Sequence, residues 1–339
     1  MVIFIPVAIL GSVGLFFGVC IAVASKKLHV HIDARVEKII SALPGANCGA
    51  CGFAGCAQFA KAVAQGIAPP AGCVPGGASS AHAIADVLGV AAELKEPVMA
   101  VVHCKGGRAE AKERSVYQGI ADCNAAVIAG NGHKVCTEGC LGLGTCVRAC
   151  PFDAIEVNDN GVAVVDPEKC TGCGKCVGAC PRRIISLIPK VHKIFLSCSN
   201  HDRGAKVKKY CSVGCTACTL CVKATTSGAI TMVNNLPSLD YSIKENFVAA
   251  ANKCPSKCFT DLVKARPKAN IDSSCNGCRA CVDICPVTAI TGEQDKRHVI
   301  DKAKCIGCGL CVDPCPVHAI SMWGGLGYSA SDKTLRQRA

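Results

Sequence analysis

Cysteines recur through this chain at a spacing that can hold metal. Three copies follow the pattern C-x2-C-x2-C-x3-C-P: CTGCGKCVGACP at 170–181, CNGCRACVDICP at 275–286 and CIGCGLCVDPCP at 305–316. Three thiolates in such a short loop can bind three corners of an iron–sulfur cube, and the proline then turns the chain away. Zinc sites instead separate two C-x2-C pairs by a longer spacer. The spacing therefore predicts [4Fe–4S] clusters and electron transfer.

These runs resemble those of bacterial-type ferredoxins, in which the fourth cysteine ligates a second cluster. The resemblance implies crossed ligation between paired runs. An irregular run, CTEGCLGLGTCVRACP at 136–151, pairs with the run at 170–181. The sets implied for this pair are Cys136, Cys140, Cys146 with Cys180, and Cys170, Cys173, Cys176 with Cys150. The sets implied for the last pair are Cys275, Cys278, Cys281 with Cys315, and Cys305, Cys308, Cys311 with Cys285.

The copy between these pairs has lost cysteines as a complete set. Thr225 stands where the fourth cysteine of the run beginning at Cys215 belongs, and the partner run survives only as Cys254-Pro255. The missing thiols are all the ligands of one cluster, so this copy is expected to keep the other cluster alone. Its ligands would be Cys215, Cys218, Cys221 and Cys254. Cys198, Cys211 and Cys258 are left over, as core thiols or as alternative ligands if this pairing is wrong.

A glycine-rich loop near the start has a different cysteine spacing. The segment GANCGACGFAGC at 45–56 is followed by Cys73, which gives C-x2-C-x4-C-x16-C. Glycines let backbone N–H groups approach the sulfurs and tune the potential of a cluster. One [4Fe–4S] cluster on Cys48, Cys51, Cys56 and Cys73 is predicted, with zinc as the alternative on ligand type alone. Altogether about six clusters are expected. The lone Cys104 and Cys123 are left unassigned, since a lone cysteine is most commonly a buried structural thiol.

Composition limits the class of protein. Aromatic residues make up 4% of the 339 residues, while 30 cysteines and 34 glycines are present. Small modules held together by metal–thiolate bonds have this composition, whereas secreted disulfide scaffolds are short and use other spacings. Reduced thiolates favour the cytoplasm. The net charge of +12 suits an acidic partner, but nucleic acid is not expected, because stacking aromatics are few and the charge is spread out.

The first 25 residues could cross a membrane. No charged side chain occurs from Val2 to Ser25, and Lys26 and Lys27 follow at once. A span of this length fits one bilayer helix, and the positive-inside rule places the bulk of the chain on the cytoplasmic side of the cell (inner) membrane, in a single-pass topology. A signal peptide ending near Ala22-Val23-Ala24 is the alternative. Against it, no basic residue precedes the apolar stretch, and a protein with reduced cysteines should not be exported.

These segments predict an α+β fold: one N-terminal transmembrane helix, a small 4Fe-4S domain, then tandem bacterial-type ferredoxin-like modules. The stretch from Asp153 to Asp166 should supply the short hairpin of a ferredoxin core. The expected boundaries are 1–27 for the membrane helix, 28–90 for the 4Fe-4S domain, 91–130 for a connecting α/β segment, 131–192 for a two-cluster module, 193–265 for a degenerate one-cluster module, 266–323 for a two-cluster module and 324–339 for a flexible tail.

A basic stretch from 182 to 209 holds eight cationic residues against the single acid Asp202. The cations are Arg182, Arg183, Lys190, Lys193, Arg203, Lys206, Lys208 and Lys209. The stretch is either a solvated face or a docking surface for an acidic redox partner, and the sequence leaves both interpretations open. No P-loop and no G-x-G-x-x-G after a strand occurs, so NAD and flavin are not expected to bind here and no catalytic residue is predicted.

The order of elements, with the loop at 45–56 and GCLGLGTCVRACP at 139–151, resembles the B subunits of Rnf complexes, which are ion-translocating ferredoxin:NAD+ oxidoreductases. The resemblance implies an electron-carrying subunit of a translocase that accepts electrons from soluble reduced ferredoxin. Other membrane subunits would then carry the flavins, the NAD site and the ion path. A polyferredoxin subunit of another membrane oxidoreductase is one alternative. A zinc-stabilised, basic nucleic-acid-binding protein is a remote one.

Overall fold

The computed structural model describes residues 4–27, 33–94, 96–225, 227–243, 245, 247–263 and 265–323. These residues form two compact units, one up to Leu94 and one from Lys95 onward. The tail predicted at 324–339 lies outside the described residues.

The first unit is helical. Helix α1 runs over Phe4–Lys27, α2 over Ala34–Ala42, α3 over Cys56–Ala64 and α4 over Gly77–Leu88, with a 3-10 turn at Pro70–Gly72. Asp33 caps α2 by accepting a hydrogen bond from the N–H of Arg35, as an N-cap carboxylate does. In the part of the chain that the structure describes, no helix is long and apolar enough to cross a membrane.

A small apolar core joins α2, α3 and α4. Ile39, Phe59 and Ile84 are almost completely buried there, and the Ser80 hydroxyl donates to the carbonyl of Ala42 at 2.7 Å. Cys51, Cys56 and Cys73 pack against the same core. The glycine-rich loop is therefore held in place by packing against the core of these three helices.

The second unit repeats one arrangement three times. Each repeat has two antiparallel strand pairs, an outer pair joining its two ends and an inner hairpin. In the first repeat β1 (Val98–Val102) pairs with β4 (Ile185–Pro189), and β2 (Ile155–Val157) pairs with β3 (Ala163–Val165). The β2–β3 pair confirms the hairpin predicted between Asp153 and Asp166. Strand β1 comes from the segment predicted as a connection and closes this repeat.

The middle repeat pairs β5 (Ile194–Leu196) with β8 (Phe259–Asp261), and β6 (Ile230–Val233) with β7 (Leu236–Leu239). The last repeat pairs β9 (Lys268–Ile271) with β12 (Ile320–Trp323), and β10 (Ile290–Thr291) with β11 (Val299–Ile300). These short strands with short helices agree with the predicted α+β class.

Short helices lie within or beside most of the cysteine runs of the second unit. They are α5 (Cys123–Gly130), α6 (Thr145–Arg148), α7 (Lys175–Ala179), α8 (Gly204–Tyr210), α9 (Leu220–Lys223), α10 (Val248–Lys253) and α11 (Ala280–Ile284). The buried cores of the repeats include cysteines among their apolar residues. Predicted metal ligands therefore form part of the hydrophobic core of each repeat.

Candidate iron–sulfur centres

The glycine-rich loop brings its four cysteines together. Burial raises the pKa of the Cys73 thiol, and the neighbouring thiols of Cys56, Cys51 and Cys48 raise it further, while the N–H of Gly76 lowers it. A Cβ added at Gly76 would lie 3.1 Å from the Cys73 sulfur and 2.6 Å from the side chain of Ser80. A Cβ at this position would therefore collide with Ser80 first and would crowd the Cys73 sulfur as well.

In the first repeat, Cys150 joins the cysteines of the run at 170–181. Burial, with a smaller contribution from the thiols of Cys170, Cys173 and Cys150, raises the pKa of Cys176 to about 11. The N–H of Ala100, on β1, donates to the Cys170 sulfur at 3.3 Å. The strand that closes the repeat therefore also contacts this group of thiols.

The irregular run does not bring together the set predicted for it. Cys140, Cys146 and Cys180 line one pocket, but its fourth cysteine is Cys123, and Cys136 is not among the lining residues. Burial, with a smaller contribution from the neighbouring thiols of Cys140, Cys123 and Cys180, raises the pKa of Cys146 to about 12. In the structure, Cys123 lies with Cys140, Cys146 and Cys180, whereas Cys136 lines a different pocket.

Helix α5 explains why Cys123 occupies that place. Asp122 caps the helix, and its carboxylate accepts hydrogen bonds from the N–H of Ala125 and from the hydroxyl of Thr145 on α6, which hold the pKa of Asp122 at about 2. The N–H of Cys123 donates to the Thr145 oxygen at 2.7 Å. The start of α5 is thereby fixed beside α6. The only sequence signal was the irregular spacing of the run, C-x3-C-x5-C, which showed that it differs from the others.

The middle repeat gathers five cysteines where four were predicted. Cys215, Cys218, Cys221 and Cys254 line one pocket together with the unassigned Cys258. The Cys258 sulfur lies 3.3 Å from the Cys254 sulfur and is 1% exposed. Hydrogen bonds with Cys215 and Cys254 raise the pKa of Cys258, and the same bonds lower the pKa of Cys215 to about 7 and of Cys254 to about 6. Cys258 is therefore suited to remain a protonated thiol beside the sulfurs of Cys215 and Cys254.

The last repeat contains two groups. Burial raises the pKa of Cys281, and the thiols of Cys275, Cys278 and Cys315 raise it further. The second pocket is lined by Cys285, Cys305, Cys308 and Cys311. Both groups have the membership that crossed ligation implies.

These groups suit a cluster better than a single ion. Among the described residues, no three His, Cys, Asp or Glu side chains converge so as to hold a metal ion. A cube of iron and sulfide is larger, so its thiolates stand further apart. The N–H groups of Ala154, Ala289 and Ala319 donate to the sulfurs of the cysteines four residues earlier, at 3.3 to 3.4 Å. Such N–H donors to cysteine sulfur are a known means of tuning iron–sulfur clusters.

Four further cysteines line another pocket. They are Cys104, Cys136, Cys198 and Cys211. Burial raises the pKa of Cys104 to about 11 and that of Cys198 to about 12, and the Cys104 thiol adds to the rise at Cys198. Burial also raises the pKa of Cys211, with Cys136 adding to it. Sequence reasoning missed this group because its members come from separate segments of the chain.

The basic stretch is exposed mainly along α8. Lys206, Lys208 and Lys209 are exposed, while Val207 and Tyr210 of the same helix are buried. Lys206 pairs with Asp202 at 2.8 Å, and its side chain remains 70% exposed. Arg182 is half-buried and donates to the carbonyl of Asn131 at 2.7 Å. Three of the exposed cations of the stretch therefore lie on α8, and Arg183 and Arg203 are exposed as well.

Comparison with known families gives matches in both units. A family described as "Putative Fe-S cluster" matches residues 43–75. The "4Fe-4S binding domain" matches residues 137–156 and 163–186, and the "4Fe-4S dicluster domain" matches residues 269–322. The matched segments include the glycine-rich loop and the first and last repeats.

Three curated relatives are similar over most of the chain. The B subunit of the Na(+)-translocating ferredoxin:NAD(+) oxidoreductase complex of Acetobacterium woodii is 44% identical, over 77% of this chain and 79% of its own. The B subunit of the proton-translocating ferredoxin:NAD(+) oxidoreductase complex of Clostridium ljungdahlii is 40% identical, over 75% and 89%. The B subunit of the ion-translocating oxidoreductase complex of Methanosarcina acetivorans is 35% identical, over 84% and 96%.

Proposed function

Because this chain belongs to the family of B subunits of ion-translocating ferredoxin:NAD(+) oxidoreductase complexes, we propose that it takes electrons from soluble reduced ferredoxin and passes them to partner membrane subunits. The chain itself is an iron–sulfur electron-transfer subunit. The three relatives compared above are named as B subunits of these complexes, and the matched families are described as 4Fe-4S domains. The polyferredoxin and zinc alternatives therefore lose their support.

The convergence of cysteines into separate groups of four carries this proposal. We assign six ligand sets, five of them as the sequence predicts and one with Cys123 in place of Cys136. A bound [4Fe–4S] cluster supplies one-electron oxidation and reduction. The chain's own residues bury the sulfurs, fix their spacing and direct N–H groups at them.

Iron and sulfide analysis of the anaerobically purified chain tests this assignment. The six sets alone account for about 24 iron atoms per chain. A brown colour that bleaches on reduction should accompany the iron. A colourless protein containing zinc would sink the proposal and restore the alternative of a zinc-stabilised protein.

We place ferredoxin docking on the exposed face of α8. Lys206, Lys208 and Lys209 form a local positive field, and steering by such a field can raise encounter rates by roughly tenfold or more, over about a Debye length of ~8 Å. None of the three lysines is a proposed ligand. Changing all three to Glu should therefore slow electron entry from ferredoxin about tenfold at low salt and leave the iron content unchanged.

Two controls make this test specific. Changing Lys38, Lys296 and Lys302 to Glu alters the net charge equally at exposed lysines elsewhere, and ferredoxin should then react at nearly the normal rate. A small uncharged reductant should reduce both triple variants equally well. If the α8 variant keeps the normal rate and salt dependence with ferredoxin, the basic face is only solvated and docking lies elsewhere.

We also propose that the segment at 1–27 anchors the chain in the cell membrane, with the bulk of the protein on the cytoplasmic side. The support is its uncharged sequence followed by Lys26 and Lys27. A reporter cysteine, Lys38→Cys, tests the orientation because the exposed side chain at 38 is not a proposed ligand. An impermeant thiol reagent should label this position only after intact cells are permeabilised. Labelling of unbroken cells would overturn the orientation.

A further inference from the structure

Four cysteines outside the six sets surround one pocket in the second unit, referred to below as the α8 pocket. Cys104 follows β1, Cys136 begins the irregular run, Cys198 follows β5 and Cys211 follows α8 directly. Two of these elements belong to the strand pairs that close the first and middle repeats. The four thiols are therefore held by the fold and not by one local loop.

Each sulfur in the α8 pocket accepts a hydrogen bond from nitrogen. The N–H of Cys140 donates to Cys104 at 3.3 Å, and the N–H of Cys215 donates to Cys198 at 3.3 Å. The side-chain amide of Asn200 donates to Cys136 at 3.4 Å, and the backbone N–H groups of Val213 and Gly214 donate to Cys211. A neutral thiol is a weak acceptor, whereas N–H donors around ligating sulfur are typical of iron–sulfur sites.

The backbone approaches the sulfurs closely in this pocket, as it does in the glycine-rich loop. A Cβ added at Gly106 would lie 3.0 Å from the Cys211 sulfur, and one added at Gly214 would lie 3.6 Å from it. Gly139 has the same relation to Cys136, at 3.5 Å. Glycines therefore stand against two of the four sulfurs. A Cβ at Gly106 would crowd the Cys211 sulfur, whereas one at Gly214 or Gly139 would make ordinary van der Waals contact with sulfur.

A buried cation faces the same pocket. Lys134 is 1% exposed, and its ammonium donates to the carbonyl of Gly106 at 2.7 Å. In the described part of the chain, no carboxylate forms an ion pair with Lys134, and Glu138 of the same pocket accepts from the N–H of His201 instead. A buried ammonium is costly without a compensating negative charge. A cluster bound by four thiolates would supply that charge.

We propose that Cys104, Cys136, Cys198 and Cys211 hold a seventh [4Fe–4S] cluster. Each thiol releases its proton as its sulfur binds iron, as cysteine ligands do. Among the described residues, no three of these side chains converge closely enough to hold a single metal ion, so a cluster of several irons suits the pocket better than one zinc ion. With this site, 28 of the 30 cysteines are ligands, and Cys20 and Cys258 are the two that are not.

The site also lies directly beneath the basic face of α8. Cys211 follows the last residue of that helix, and the buried Tyr210 donates through its hydroxyl to Asp202, the partner of Lys206. The seventh cluster is therefore suited to be the first acceptor for a partner that docks on α8. This role rests on the proposed docking of ferredoxin, whereas the cluster itself does not.

Iron analysis of the full chain tests the cluster. We expect about 28 iron atoms in the unmodified protein and about 24 in both Cys198→Ser and Cys211→Ser, with the remaining clusters still visible by electron paramagnetic resonance. Cys20→Ser, a cysteine outside every site, is the matched control and should keep about 28. An unmodified protein with about 24 iron atoms and unchanged iron in both variants overturns the seventh cluster but leaves the six sets standing. About 24 iron atoms with one zinc ion overturns it equally.

A second variant covers the case in which loss of a ligand unfolds the repeat. Asn200→Ala keeps every cysteine and removes the side-chain N–H donor to Cys136. Iron should stay at about 28, and one cluster should shift to a more negative potential, because the hydrogen bond stabilises the reduced form. Asn235→Ala removes a donor to the carbonyl of His201 instead and is the control. Identical potentials in the two variants would contradict a cluster at Cys136.

Discussion

The middle and last repeats have the same strand pairing but fill the same space differently. Counting back from Cys254 by the spacing of the last run, Cys308 and Cys311 correspond to Phe247 and Ala250. Phe247 and Ala250 are each 1% exposed, and both belong to the core of the middle repeat. An aromatic ring thus stands where the last repeat has a ligand of its second group.

Other rings complete the replacement. Phe247 lies 5.6 Å from Tyr241 and 6.1 Å from His192, measured between ring centroids. A buried phenylalanine contributes about 1.5–3 kcal/mol through its transfer from water. The comparison teaches that one fold can be held either by metal–thiolate bonds or by an apolar core. Losing a cluster need not lose the repeat.

Removing all iron from the protein should produce the largest difference in stability between the last repeat and the middle repeat. The core of the last repeat includes Cys281, Cys311 and Cys315, so metal removal leaves it without its central bonds. Hydrogen exchange of β9 and β12 should accelerate about 10³-fold or more, equivalent to roughly 4 kcal/mol. Exchange of β6 and β7 should accelerate much less. Equal loss of protection in the two repeats would break the comparison.

Phe247→Ala should affect only the repeat that relies on the ring. The substitution should reduce the free energy of unfolding of the middle repeat by about 3–5 kcal/mol, because it leaves a cavity in a closed core. Hydrogen exchange in β6 and α10 measures the loss. Iron content should not change, since Phe247 is not a ligand. Phe247→Leu is the control and should cost less than Phe247→Ala, and a loss of iron in both variants would show that the ring supports the remaining cluster.

Gly277→Ala should destabilise the last repeat. Gly277 has a φ of +74°, and a Cβ there would lie 2.5 Å from the backbone nitrogens of Asp295 and Lys296. Left-handed backbone costs other residues about 1–2 kcal/mol, and the contact with backbone atoms adds to it. We expect a loss of about 2–3 kcal/mol in unfolding free energy, measured by hydrogen exchange of β10. Unchanged exchange would mean that the loop can shift at little cost.

The reverse change in the middle repeat should have the smallest effect. Ala217 occupies the position equivalent to Gly277 and has a φ of +54°. Ala217→Gly should stabilise the middle repeat by about 1 kcal/mol, because the strained conformation is free for glycine. Slightly slower hydrogen exchange of the amides of β6 would show this stabilisation. Destabilisation would indicate that the methyl group packs in the core strongly enough to outweigh the strain.

Local spacing predicted most of the candidate site but not all of it. The group at Cys305, Cys308 and Cys311 could be found from sequence because a cluster loop is encoded within a few residues. Cys123 could not be found, since α5 is positioned by Asp122 and Thr145 through hydrogen bonds that no spacing encodes. The α8 pocket escaped for the same reason. Its ligands come from strand ends that meet only after the repeats have folded.

The α8 pocket also has a consequence for how the protein is made. Cys104 leaves the ribosome 107 residues before Cys211, which follows α8. At translation rates of about 5–20 residues per second, this thiol waits about 5–20 s for its last partner. During that interval the run at 170–181 has already emerged with all of its cysteines. The sites of the first repeat are therefore not completed in the order in which their cysteines are synthesised. Cys104 emerges first among the cysteines of this repeat, yet its site, the α8 pocket, is completed last.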